Sequence, residues 1–140
     1  MKKLAVSTGK SRKFTKVAGK KVKKGTYYKF MVVAYDEDNK VVSSSKIIHA
    51  ATKGGKVGNP TKLTVKKTSI TLKKGKQFKL GAREIGKNIK HHRGVCYEMS
   101  KKGIVSVSKK GVIKAKKRGT CYVYAYAQNG LYKKIKVVCN

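Results

Sequence analysis

The chain has 140 residues, enough for one domain or two small ones, and carries 37 Lys and Arg against 5 Asp and Glu, a formal net charge of +32. Apolar residues make up 39%, below the ~45–50% usual for a soluble globular domain, so any core is modest. No run approaches the ~18–20 apolar residues of a membrane-spanning helix, and five acidic groups leave little material for a paired-carboxylate or multi-acid metal enzyme.

The chain opens on Met1-Lys2-Lys3-Leu4-Ala5-Val6, which has the charged start of a signal peptide, but Ser7-Thr8-Gly9-Lys10 interrupts the apolar stretch that should follow. Weak strands are expected around Leu4-Val6 and Phe14-Val17. The first strong strand places Tyr28, Phe30, Val32 and Ala34 on one face. After a polar turn, Asp36-Glu37-Asp38-Asn39-Lys40, the run from Val41-Val42 to Lys46-Ile47-Ile48-His49-Ala50 reads as its partner. Gly54, Gly55, Gly58 and Pro60 then break all periodicity, which marks residues 55–59 as a linker.

A second strand series follows Pro60. Leu63/Val65, Ile70/Leu72 and Phe78/Leu80/Ala82 alternate with polar residues, and Lys73-Lys74-Gly75-Lys76 is a turn. Residues 83–94 read as irregular. Val95/Tyr97/Met99 alternate again, and Ile104-Val105-Ser106-Val107 and Val112-Ile113 flank Lys109-Lys110-Gly111. Cys121/Val123/Ala125/Ala127 and Ile135/Val137/Cys139 flank Gln128-Asn129-Gly130, and Asn-Gly between two alternating runs is a strong hairpin signal. No segment shows helical apolar spacing. Seven or so short strands in about 80 residues predict an all-β fold, a sandwich or barrel. Residues 1–54, with two strong strands, are too few to close a sandwich alone.

Residues 60–140 resemble the bacterial immunoglobulin-like domain, group 2. The resemblance is carried in order by Ser69-Ile70-Thr71-Leu72-Lys73-Lys74-Gly75-Lys76-Gln77-Phe78-Lys79-Leu80, Tyr97-Glu98-Met99-Ser100, the run 104–115 ending Gly111-Val112-Ile113-Lys114-Ala115, and Gly119-Thr120-Cys121-Tyr122-Val123-Tyr124-Ala125-Tyr126-Ala127. It implies an immunoglobulin-like β-sandwich. Residues 1–54 resemble the C-terminal half of a fibronectin type III domain, through Val22-Lys23-Lys24-Gly25-Thr26-Tyr27-Tyr28-Lys29-Phe30-Met31-Val32-Val33-Ala34-Tyr35. That resemblance implies a tyrosine-corner role for Tyr28, its hydroxyl bonded to upstream backbone. The chain then reads as a piece of a larger multidomain protein. Such tandem arrays resemble those of secreted and surface proteins of Gram-positive bacteria.

Few residues are arranged for chemistry. Cys96, Cys121 and Cys139 include no CxxC pair. Cys121 and Cys139 share the inward phase of the last two strands. A hairpin centred on Gly130 would set them roughly opposite, open to a cross-strand disulfide or to two small buried apolar residues. Cys96 reads as outward. His91-His92-Arg93 has no carboxylate close in sequence, so a metal site or a nucleophile–base pair with Cys96 has little support. Asp36-Glu37-Asp38-Asn39 lacks the spacing of a calcium loop. Tyr122, Tyr124 and Tyr126 form an aromatic stripe opposite Cys121/Val123/Ala125. They are either strand formers with good cross-strand pairs or an interaction face that stacks on sugar rings, a neighbouring domain or bases.

No cofactor is called for, and no enzyme is expected. A polycation of this size is attracted to anionic cell-wall polymer, glycan or nucleic acid. The charge is spread along the chain, with a net +11 over residues 1–54 and +21 over residues 55–140. Two readings follow. One is a noncatalytic extracellular or cell-wall adhesion module, held near anionic wall polymer or glycan or packed on neighbouring domains. The alternative is a basic nucleic-acid-binding protein, against which Lys far outnumbers Arg, the preferred base reader.

Overall fold

A computed structural model describes residues 13–140, and every regular element in them is a strand. The expected strand at Leu4-Val6 lies outside the described residues. The N-terminal part holds β1 (Lys16–Val17), β2 (Lys20–Lys21), β3 (Tyr27–Phe30), β4 (Val33–Tyr35), β5 (Val41–Ser44) and β6 (Ile48–Ala51). The remainder holds β7 (Lys62–Thr64), β8 (Ser69–Leu72), β9 (Gln77–Lys79), β10 (Arg83–Ile85), β11 (Cys96–Met99), β12 (Val105–Val107), β13 (Val112–Ala115), β14 (Gly119–Tyr126) and β15 (Tyr132–Cys139).

The two strong N-terminal strands each split in two. β3 pairs with β6 and β4 with β5, all antiparallel, as one long hairpin interrupted at Met31 and Val32. Ser45 bridges the gap: its N–H donates to the Val32 carbonyl (2.8 Å) and its hydroxyl accepts the Val32 N–H (2.9 Å). The pairing slips by one residue there, from Phe30↔Ile48 to Val33↔Ser44. A one-residue slip sends side chains to the other face, so the predicted single stripe of Tyr28, Phe30, Val32 and Ala34 does not hold. Phe30 is half-buried, whereas Val32 is 71% exposed. Met31, Tyr35, Val41, Val42 and Ile47 are exposed with it.

Residues after Pro60 form a β-sandwich. One sheet has the order β11-β14-β15-β8, antiparallel except for β8 alongside β15, which is parallel. The facing sheet has the order β12-β13-β9, and β7 pairs with β10 at its flank. The stretch 83–94 is therefore not wholly irregular. Gly81, at φ 59°, breaks the Phe78/Leu80/Ala82 strand, and the chain re-pairs as β10 against β7. Between the sheets lie Leu63, Ile70, Leu72, Leu80, Val105 and Ile113 with Cys121, Val123, Ala125, Ile135, Val137 and Cys139. These are the inward positions read from the alternation. β14 and β15 pair over eight positions, closed by a turn in which Ala127 N–H reaches the Leu131 carbonyl (2.7 Å) and Gly130 takes φ 91°.

The predicted linker is closely held. Gly25 and Gly55 cross backbone to backbone, and a Cβ on either would run into the other's Cα. Only glycine fits such an approach. Asn59 closes two hydrogen bonds to Ala51, accepting its N–H and donating to its carbonyl, each 2.7 Å. The Tyr27 hydroxyl donates to the Gly58 carbonyl and accepts the Lys90 N–H.

Truncating Ile135, which is fully buried, is expected to cost about 2–5 kcal/mol. Val42→Ala, at an exposed position, is expected to stay within about 0.5 kcal/mol. Denaturant unfolding of the two variants checks both.

Candidate functional site

Because β14 alternates strictly, every residue that is not in the core faces outward. Tyr122, Tyr124 and Tyr126 therefore share the outer face of the four-stranded sheet. The register adds neighbours on both sides. Tyr126 lies opposite Tyr132, Tyr124 opposite Lys134 and Tyr122 opposite Lys136 on β15, while Glu98 of β11 lies opposite Tyr124. The Tyr124 and Tyr126 rings are 24° from parallel with centroids 6.3 Å apart, and Tyr132 approaches both, at 6.2 and 5.8 Å. The Lys134 ammonium sits 4.0 Å over the Tyr122 ring, a cation–π contact. The stripe is thus a patch of four tyrosines edged by lysines. Tyr132 belongs to the patch because the parity that turns Ile135, Val137 and Cys139 inward turns it outward. Burial and then the adjacent Glu98 carboxylate push the Tyr126 hydroxyl above its ordinary pKa.

Beside Tyr126 a groove of roughly 370 Å³ opens between this sheet and the N-terminal hairpin. Phe30, Met31, Val32 and Ile48 form its apolar wall, with Arg93 at its edge. Lys46 and Glu98 form an ion pair of 2.9 Å there, both half-exposed, and its contribution to stability is small.

The three cysteines are free thiols. Cys121 and Cys139 are buried, but they are not opposite one another: Cys121 faces Val137 and Cys139 faces Gly119. The turn is centred one residue earlier than Gly130, which shifts the register. A diagonal neighbour lies about 7–8 Å away, whereas a disulfide needs a Cβ separation of about 3.5–4.5 Å. Of the two alternatives open to this pair, a cross-strand disulfide does not fit this register, and both cysteines are buried in the core as small apolar residues. Burial raises both thiols above their ordinary pKa, Cys139 adding to the effect at Cys121. Cys96 is on the outer face, as read, and accepts from the Arg93 guanidinium at 2.7 Å.

The histidines occupy the junction between the N-terminal hairpin and the sandwich. Glu84 is seven residues from His91 in sequence, yet its side chain is only 3% exposed and holds the segment together. One carboxylate oxygen meets His91 Nδ1 at 2.8 Å, and the other accepts the Gln128 N–H at 2.5 Å. The fully buried Gln128 side chain accepts the His92 N–H (2.9 Å) and donates to the Lys90 carbonyl (3.0 Å). The Gln128 carbonyl accepts the His49 N–H from β6, at 2.7 Å. The His49 and His92 rings lie 5.6 Å apart, and Tyr27 meets His92 edge-on at 4.5 Å. Among the described residues, no group of three or more His, Cys, Asp or Glu side chains is arranged to hold a metal ion. Asp36 instead closes its own turn, accepting the Lys40 N–H at 2.8 Å.

Thiol accessibility follows this burial. With a disulfide-exchange reagent at neutral pH, Cys96 is expected to react first. Cys121 and Cys139 are expected to react only as the protein unfolds, and denaturant should release three thiols in all.

No curated protein matches the chain. Among solved structures it is similar to domains 4 and 5 of the S-layer protein SbsC, at 19% identity and a TM-score of 0.46. The likeness covers 67% of this chain and 58% of that one, so the chain spans under two thirds of that structure. The family model for the bacterial Ig-like domain (group 2) matches residues 60–138, more than half of the chain and the whole of the sandwich described above. The chain belongs to the bacterial Ig-like domain family, group 2.

Proposed function

We propose that this chain is a noncatalytic structural and adhesion module of a larger bacterial surface or secreted protein, with a basic face that lies against anionic cell-wall polymer or glycan. Membership of the bacterial Ig-like family carries the reading. A packed sandwich is a rigid support, and among the described residues no nucleophile, base and orienting acid are brought together on it. The outer tyrosine–lysine patch supports a binding role. It offers aromatic faces to sugar rings, hydroxyl donors to their oxygens, and lysines to phosphate or carboxylate substituents. The net charge of +32 supports an anionic partner.

The same proposal reads the N-terminal ribbons as the last strands of a fibronectin type III-like unit, residues 1–54, joined through residues 55–59 to the Ig-like domain at 60–140. Two observations support it. The Tyr28 hydroxyl accepts the Lys23 N–H at 3.0 Å, the upstream backbone bond expected of a tyrosine corner. Val32, Val41 and Val42 are exposed apolar side chains of the kind that a facing sheet would cover.

Titration with a purified anionic wall polymer, a teichoic acid, tests the reading. Binding should weaken steeply between 50 and 200 mM salt. Tyr124→Ser combined with Tyr132→Ser should lower affinity about tenfold, the loss of roughly 1.4 kcal/mol of stacking. Unchanged affinity in that variant would remove the tyrosine patch from the reading. Tighter binding of single-stranded nucleic acid than of the wall polymer at equal salt would replace it with the nucleic-acid alternative.

A further inference from the structure

All three histidines of the chain, His49, His91 and His92, stand at the junction between the N-terminal hairpin and the Ig-like sandwich. They do not play the same part there. His91 lies wholly on the sandwich side, since its partner Glu84 belongs to β10. Protonating His91 places a full charge beside the Glu84 carboxylate at 2.8 Å, which strengthens a contact internal to the sandwich. His49 and His92 form the contact that crosses. His49 is on β6 of the hairpin, and His92 is in the loop before β11.

The charges around that crossing contact are all of one sign. Lys29 is the cross-strand neighbour of His49 on β3, and Arg93 follows His92 in the loop. From β3 the hairpin offers His92 only the Tyr27 ring. The one nearly buried carboxylate, Glu84, is engaged by His91 and by the Gln128 N–H. Glu98 is paired with Lys46 at the groove. No carboxylate is therefore recorded against the His49–His92 pair among the described residues.

We infer that the junction is an acid-released clasp: protonation of His49 and His92 drives the hairpin away from the sandwich, while His91 and Glu84 keep the sandwich side intact. The direction follows from the environment of His49. Burial first, then Lys29, Arg93 and His92, hold its pKa below the ordinary histidine value. Undocked, the ring titrates near its ordinary value of about 6.5. Between the two values the undocked state binds more protons, so docking weakens as pH falls through about 6.5 and is complete above it. The backbone bond from His49 N–H to the Gln128 carbonyl is the point at which release is read, because it joins the two parts at the same residue.

Amide hydrogen exchange of the full chain, followed residue by residue by NMR at pH 7.5 and pH 5.2, tests this. Rates are corrected for the intrinsic pH dependence of exchange, and the buried Val123 amide on β14 is the internal reference. Protection of the His49 amide is expected to fall at least about threefold relative to Val123, the ratio for two unit charges 5.6 Å apart at the dielectric of water. His49→Gln combined with His92→Gln should abolish the pH dependence at position 49, and His91→Gln should leave it in place. Should the double variant fail to fold, His92→Gln alone, at an exposed ring, is expected to reduce the dependence without abolishing it, because burial, Lys29 and Arg93 still act on His49. The inference is overturned if protection at position 49 tracks Val123 across the pH range. It is equally overturned if the dependence is unchanged by loss of His92, survives loss of His49 and His92 together, or disappears with His91.

Discussion

The β14–β15 ladder fixes most of what this molecule presents. Eight register pairs with a strict period of two leave each side chain one of two fates. Cys121, Val123, Ala125, Ile135, Val137 and Cys139 enter the core, and Tyr122, Tyr124, Tyr126, Tyr132, Lys134 and Lys136 are turned outward. A slip of one residue would bury tyrosines and lysines and expose valines, so the core itself specifies the register of the outer patch. The inward residues include no aromatic ring. The bulk of the hairpin is thereby concentrated on its outside, where four aromatic rings gather.

Electrostatics imposes a second constraint. With 37 cationic and 5 acidic side chains, few positive groups can have an internal partner. Strand alternation and turns keep the lysines in water, where mutual repulsion is screened within about 8–10 Å at ordinary ionic strength. The acids that are present are used sparingly. Three stand together in the Asp36–Asp38 turn, Glu98 is on the outer sheet face, and Glu84 alone is taken inside. A buried carboxylate is tolerated only where donors surround it, and His91 with the Gln128 N–H provides them. The polar junction exists because one acid out of five was enclosed.

Much of the sandwich was legible because its strands obey period two. The alternation from Leu63 to Cys139 names the core residues that the structure buries. The sequence was hard to read where the period breaks. Gly81 divides one strand, so the phase appeared to stop at Ala82. Continued past the break, Phe78, Leu80, Ala82 and Glu84 keep one parity, and Glu84 could have been read as inward. Ser45 and Val32 make the corresponding break in the N-terminal hairpin, a side-chain bond that no hydrophobic pattern announces. The hairpin is centred one residue before Gly130, which separates Cys121 from Cys139 while leaving both on the inward face. Periodicity fixes which face a residue takes, whereas the turn fixes which residue it meets. The convergence of His49 with His92 depends on a contact between two parts of the chain, about which local pattern is silent.

One feature of the topology bears on mechanics. β8 follows the short flanking strand β7, and β15 is the last strand; β8 and β15 run parallel, bonded from Ser69–Leu72 to Lys136–Cys139. Tension drawn along the chain pulls the start of β8 and the end of β15 in opposite directions, along the strands. The hydrogen bonds between them, flanked by Lys136 N–H to the Thr68 carbonyl and Asn140 N–H to the Leu72 carbonyl, are then loaded in shear and share the force. An antiparallel pair at the same place would open like a zipper, one bond at a time. The parallel pairing thus sets this strand pair to resist a pull along the strands by all its hydrogen bonds at once.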